Sequence, residues 1–171
     1  MSNFAASKNE NSLTDKEKCK KEARAKFDSY DEEEWGKTYF DEETGGFLVI
    51  EKTRIKQAGK SDNEFKKFEK EQDMCVTLAK NEYTVEHLDD NYGCSYDIHI
   101  NSVHADLKKT CSHNNIMNYA KYAVREQGAE MVVFEFENNT KKIHEELDKL
   151  KKSGIKSYYY FSNEKSNIHI L

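Results

Sequence analysis

Residues 93–109 read GCSYDIHINSVHADLKK, and three side chains in that stretch, Asp97, Asp106 and Lys108, have the types and spacing to hold and activate a phosphate. Apolar and β-branched residues alternate with polar ones on either side of Asn101-Ser102, which predicts two short strands, 96–100 and 103–108, joined by a two-residue turn. In such a hairpin the numbers of cross-strand partners sum to a constant. Ile100 then faces Val103, His99 faces His104 and Asp97 faces Asp106, with the two carboxyl-bearing side chains starting roughly 5 Å apart. Like charges placed this way repel, so something must compensate. Period-two alternation puts Asp97, His99, His104, Asp106 and Lys108 on a chemical face and Tyr96, Ile98, Ile100, Val103, Ala105 and Leu107 on a core face. A hard divalent cation such as magnesium is held by one or two carboxylates with waters and phosphate oxygens. An ammonium nearby can steady charge that develops on a phosphate oxygen. The plainer alternative is a solvated hairpin in which Asp106 pairs with Lys108 or Lys109.

The elements that must hold this hairpin are legible on both sides of it. Gly45-Gly46 opens a strand at 47–51, whose Phe-Leu-Val-Ile run calls for burial on both faces. Asp62 or Asn63 can cap a helix running to about Lys80, with Phe68, Cys75, Leu78 and Ala79 at helical spacing and with Glu64 and Glu71 sharing a face. A strand at 84–88 and a turn at 89–93 lead into the hairpin. Beyond it come a helix at 112–127 closed by Gly128, a buried strand at 131–136, an amphipathic helix at 140–152 closed by Gly154, and an aromatic strand at 157–161. Alternating strands and helices place the chain in the α/β class, with a mixed central sheet flanked by helices. Residues 1–44 are polar and poor in β-branched types, and are expected to form a partly helical or disordered extension to a domain spanning 45–171. Thr14 and Glu17 have the spacing of a capping box for a helix to about Phe27, and Trp35, Tyr39 and Phe40 would dock the extension on the body.

Composition narrows the function. The 171 residues carry a net charge of −5 with 35% charged side chains, which excludes a generic polybasic nucleic-acid binder, so any such site must be a local patch. Residues 98–129 are locally basic, with Lys108, Lys109, Lys121 and Arg125 against Asp106 and Glu126. No run approaches the roughly eighteen apolar residues of a membrane helix, and no apolar signal opens the chain. Four cysteines, without CxxC spacing, are expected as reduced thiols. The competing idea is a zinc site among His87, Cys94, His99, His104, Cys111 and His113, but these match no recognised ligand spacing.

Asp97, then Asp106-Leu107-Lys108, with Tyr96 where a proline often stands, resembles the core motif of PD-(D/E)XK nucleases. The segments KEQDMCVTLAKNEYTVEHL, SYDIHIN, ADLKKTCSHNNI and YAVREQGAEMVVFEF together resemble the C-terminal tRNA nuclease domain of contact-dependent growth inhibition toxins, over roughly residues 45–171. That resemblance implies a PD-(D/E)XK nuclease-like core and a metal-dependent ribonuclease that cleaves tRNA. Its metal, expected to be Mg²⁺, would be held by Glu71, Asp97 and Asp106. Lys108 and His113 would be catalytic, with Thr110, Gln127 and Glu64 as further candidates. It also implies a cognate immunity protein, delivery by a secretion or mobile-element system, and action in the target cytoplasm without membrane attachment. Lys109, Lys121 and Arg125 would meet the nucleic acid, with Lys141 and Lys142 further out. Asp97, Asp106 and Lys108 should project from one sheet face with the helix glutamate beside them. RNA carries its own 2′-hydroxyl, so metal-independent cleavage stays open. A DNA endonuclease and a non-cleaving interaction module are the alternatives. The chain departs from the family pattern at Ser102, where Gly often follows Asn, and at Glu82, where Gly usually ends the helix. It also starts at its own Met1 with a polar leader, whereas these domains usually end a very long polypeptide.

Overall fold

Phe47–Glu51 and Met131–Phe136 are buried at every position, the signature of central strands covered on both faces. A computed structural model describes residues 14–89 and 96–171. Its elements run α1 (Asp15–Ser29), β1 (Trp35–Phe40), β2 (Phe47–Glu51), α2 (Lys52–Ala58), α3 (Asp62–Lys80), β3 (Thr84–His87), β4 (Ile98–Ile100), β5 (Val103–Thr110), α4 (Ile116–Arg125), β6 (Met131–Phe136), α5 (Lys141–Ser153), β7 (Ser157–Phe161) and β8 (His169–Ile170). The strands pair in chain order in one mixed sheet. Parallel neighbours are β2 with β3, β5 with β6 and β6 with β7, and each of these steps is bridged by helix. The fold is therefore mixed α/β, as expected. No helix among the described residues is long and apolar enough to cross a membrane.

Two cores form because helices cover both sheet faces. Phe68, Met74, Cys75 and Leu78 of α3 pack with Leu48, Ile50, Val85, Ile98, Ile100, Ala105 and Leu107 on one side. Ile116, Ala120 and Ala123 of α4 and Ile143, Leu147 and Leu150 of α5 pack with Val132, Phe134 and Phe136 on the other. Thr14 caps α1 through the expected reciprocal bonds with Glu17. Phe27 of that helix joins Phe47 and Val49, and β1 pairs antiparallel with β2. Of the residues read from composition as a partly helical or disordered extension, 15–29 thus form a helix packed through Phe27 and 35–40 add a strand to the sheet.

The helix boundaries differ from expectation where a nearby side chain settles the end. Ser61, rather than Asp62 or Asn63, caps α3 by accepting the Glu64 N–H at 3.2 Å. Helix α4 starts at Ile116, four residues later than expected, because Thr110 and Ser112 first close a turn. Helix α2 and strand β8 were not anticipated. Gly46 is required where it stands, since a Cβ would lie 2.0 Å from the Ala79 carbonyl oxygen at the end of α3.

Glu82, just past α3, sits at φ +74°, the left-handed position that glycine usually fills. A non-glycine residue pays about 1 kcal/mol there. Glu82→Gly should therefore stabilise the fold by about that amount, read as a higher urea midpoint at unchanged slope. An unchanged or lower midpoint would mean that the glutamate makes a compensating contact.

Candidate active site

The ladder between β4 and β5 ends at Ile98 opposite Ala105, yet β5 continues to Thr110. Residues 106–110 therefore pair in the sheet with β6 alone, and a gap opens where β4 would have continued. The two-residue turn is as expected, with Asn101 at φ +48° and Ser102 at φ +67°, so Ser102 adopts the primed geometry that glycine favours. Asp97 enters the gap as a cap. Its N–H donates to the Ala105 carbonyl (3.2 Å), and its Oδ2 accepts the Leu107 N–H at 2.8 Å.

Asp97 and Asp106 do not form a ladder pair, but their carboxyls meet inside the protein. Asp106 is fully buried and Asp97 nearly so. Burial first, then the negative charges of Asp106 and Glu71, push the Asp97 carboxyl well above its usual range, and a contact with Asp106 favours the protonated form further. The Lys108 ammonium lies 2.5 Å from Asp106 Oδ2, outside good hydrogen-bonding geometry, and Oδ1 meets no donor.

Asp106 and Lys108 share a face, as alternation requires, pointing to the side of Val132 and Phe134, while Ala105 and Leu107 pack toward α3. Glu71 belongs to α3 and so approaches from the opposite face, not from beside them. The gap is what lets the two sides meet. Tyr96 also departs from expectation. Its ring stacks on His104 at 4.4 Å between centroids, on the histidine side, because the strand begins only at Ile98 and alternation does not reach back to it.

Glu71 is held by a buried network. Arg54 Nη2 of α2 donates to its Oε2 at 2.8 Å, His87 Nε2 lies 3.1 Å from the same oxygen, and Lys67 Nζ is 3.6 Å from Oε1. The Phe68 ring stacks on His87 and lies under the Arg54 guanidinium. Burial alone would raise the Glu71 carboxyl, but the hydrogen bonds from His87 and Arg54 overcome it and hold the pKa at about 2.

A cavity of about 590 Å³ opens along the stretch of β5 beyond β4, lined by Asn63, Lys66, Lys67, Lys70, Glu71 and Met74 of α3, Leu107, Lys108 and Lys109 of β5, and Tyr119 and Tyr122 of α4. Of the sequence candidates, Glu71, Lys108 and Lys109 line it, whereas Asp97 and Asp106 lie buried beside Lys108 and do not. Lys109 also pairs with buried Glu135 at 2.8 Å, which in turn accepts from Tyr160 and Ser162. Glu64 sits in the first turn of α3 against Ser61 and does not line the cavity. Nor do Thr110 in its turn with Ser112, His113 in the loop before α4, or half-buried Gln127 beyond that helix. Lys121 and Arg125 are exposed on α4 and do not line the cavity, whose lysines come from α3 and β5. The signal for the α3 wall was the spacing of Asn63, Lys67, Lys70, Glu71 and Met74, which places them along one stripe of a helix. Nothing local marked Arg54.

Of the candidate zinc residues, His99 and His104 stack at 4.8 Å between ring centroids, but each described histidine of the hairpin and of β3 has a carboxylate neighbour. His87 serves Glu71, His99 lies 2.7 Å from Glu86 and His104 3.5 Å from Glu130. Cys94 and all but the first residue of the turn at 89–93 lie outside the described residues. Cys19, Cys75 and Cys111 are free thiols. Among the described residues no three His, Cys, Asp or Glu side chains converge closely enough to hold a metal ion by themselves.

No protein-family profile and no curated protein sequence matches the chain. Among solved structures, a CdiA-CT/CdiI toxin and immunity complex from Burkholderia pseudomallei is similar over 60% of this chain and 81% of that one, at 21% identity and a TM-score of 0.48.

Proposed function

We propose that this chain is a PD-(D/E)XK-type nuclease that hydrolyses phosphodiester bonds in RNA, with tRNA as its substrate. In this reading it is the toxic effector of a contact-dependent or mobile-element system, acts in the target cytoplasm and is restrained by an immunity protein. The observation that carries the nuclease reading is the pair of buried carboxyls, Asp97 and Asp106, beside Lys108 at the edge of a lysine-walled cavity. A structural ion pair needs one carboxylate for one ammonium. Here Asp106 Oδ1 has no donor among the described residues and Asp97, although it caps the Leu107 N–H, is driven toward its neutral form, so the two carboxyls together exceed what the single ammonium offsets.

That donor set fits a hard divalent cation such as Mg²⁺, since it offers carboxylate oxygens without thiolate or imidazole; neither aspartate lines the cavity, which Lys108 beside them does, so waters and phosphate oxygens would reach the ion from that side. Asp97 and Asp106 would hold the ion. When bound, it would polarise a phosphoryl oxygen and lower the pKa of a bound water. The chain's own groups do the rest. Lys108 extends from the buried carboxylate to the cavity, where its ammonium can neutralise charge on a non-bridging phosphate oxygen. Glu71 has its Oε2 committed to Arg54 and His87, which leaves Oε1, 3.6 Å from the Lys67 ammonium that also lines the cavity, to orient an attacking water rather than to act as a primary ligand.

The RNA and toxin parts of the reading rest on the resemblance of the segments around the motif, because the carboxylate pair itself would serve either sugar. Controlled expression in a bacterial cytoplasm tests them. The wild-type chain should arrest growth and leave tRNA fragmented with chromosomal DNA intact, and Asp106→Asn should do neither. Fragmented DNA with intact tRNA would replace the reading with that of a DNA endonuclease.

A further inference from the structure

The cavity over the β4–β5 gap has two walls of different chemistry. Helix α3 supplies Lys66, Lys67 and Lys70, and α4 supplies Tyr119 and Tyr122. Lys67 is drawn to Glu71, but Lys66 and Lys70 are exposed and have no ion-pair partner among the described residues. Tyr122 is 57% exposed, although the inward side of its helix already has Ile116, Ala120 and Ala123 to bury. Two free ammoniums therefore stand across a cleft from an uncovered aromatic ring. Phosphate and base alternate along a nucleic-acid strand in the same way.

The depth of the reacting groups decides between strand types. Glu71, which lines the cavity with Lys108, is only 8% exposed, and Asp106 beside Lys108 is 0% exposed, so the phosphate to be cut must be drawn into the cavity. A duplex holds its phosphates on a stiff helix and turns its base faces inward against one another. It cannot present a recessed phosphate and an open base face to the same cleft. An unpaired nucleotide can do both, with its base splayed onto an aromatic ring.

We infer that this cleft is a binding site for unpaired RNA, with the backbone on Lys66 and Lys70 and a base stacked on Tyr122, so that the enzyme cuts in a loop or single-stranded end of its folded substrate. The inference rests on the nuclease reading and adds the strand type and the residues that select it. Stacking tolerates any base, so the position cut would follow from the fold of the RNA more than from its sequence.

The test uses the Asp106→Asn chain, which binds without cutting, and compares a short fluorescently labelled RNA single strand with the duplex of the same sequence by anisotropy at physiological salt. The single strand should bind at least about tenfold more tightly. Tyr122→Ala should weaken single-strand binding by about tenfold, Tyr122→Phe should restore it, and neither should alter the duplex. Lys66→Glu with Lys70→Glu should weaken binding and flatten its salt dependence. Equal binding of both strand types, or single-strand binding indifferent to Tyr122→Ala, would overturn the inference. Cleavage of tRNA by the wild-type chain is scored separately. Cleavage with a silent Tyr122 retains the nuclease and removes the cleft assignment, whereas Tyr122-dependent single-strand binding without any cleavage retains the cleft and removes the nuclease.

Discussion

Asp106→Asn is expected to lower phosphodiester cleavage by at least about a hundredfold while leaving the fold as stable as the wild type or more so, by about 1 kcal/mol. The amide keeps the shape of a fully buried side chain and removes one of two confronted charges. Lys108 loses its partner, but its ammonium reaches solvent and need not be left unpaired in the interior. The pH dependence gives the expectation a second arm. Asp97 is raised above its unfolded value, chiefly by burial and then by Asp106 and Glu71. A carboxyl raised on folding contributes stability that is fully present below the unfolded pKa and is lost as pH rises through the folded one. Without added cation, wild-type stability should therefore decline as pH rises above the ordinary carboxylate range. Asp106→Asn should flatten that decline. Denaturant midpoints across pH, measured beside activity, check both arms. A stability loss that tracks the activity loss would instead mark Asp106 as a structural residue.

Arg54→Met should give the largest change in stability, a loss of about 3 kcal/mol at neutral pH. Arg54 is completely buried, and its guanidinium donates to Glu71, itself only 8% exposed. Breaking a buried pair from one side leaves the other charge uncompensated, which typically costs about 3–5 kcal/mol. The lower end applies because Arg54 Nε and Nη1 have no hydrogen-bond partners, a cost that methionine removes, and because His87 and Lys67 remain beside Glu71. The acid limb follows from the depressed Glu71 value of about 2. A carboxyl lowered on folding contributes stability present above its unfolded pKa and lost as pH falls through the folded one. The gap between wild type and Arg54→Met should accordingly narrow as pH drops from the ordinary glutamate range toward 2. Urea midpoints at neutral and acid pH measure it, and adding Glu71→Gln to Arg54→Met should recover most of the loss at neutral pH. A neutral-pH cost well under 1 kcal/mol would show that the pair is not coupled energetically.

The hairpin register was readable because its turn is two residues long and its strands alternate cleanly, so Ile100 faces Val103 and His99 faces His104 as the sum rule requires. The buried strands at 47–51 and 131–136 and the caps at Thr14 and Gly154 were readable for similarly local reasons. The start of β4 was not. Alternation runs on through Asp97 and Tyr96, but the bond from the Leu107 N–H to the Asp97 carboxylate ends the ladder, and that bond depends on a residue ten positions away. Arg54 was invisible for a stronger reason. In the stretch KTRIKQA it looks like one cation among several on a solvated helix, and only the packing of α2 on α3 buries it against Glu71. Sequence proximity to Lys108 pointed to Lys109, Lys121 and Arg125, of which Lys109 lines the cavity; the lysines of α3 that line it as well are brought there by the fold.

The most direct measurement is tRNA cleavage by the purified wild-type chain, first freed of metal with a chelator and then titrated with magnesium. Cleavage should be absent after chelation, return with added magnesium and remain undetectable for Asp106→Asn throughout. Cleavage at an unchanged rate after chelation, or tRNA left intact at every magnesium concentration, would contradict a cation-dependent ribonuclease built on Asp97 and Asp106.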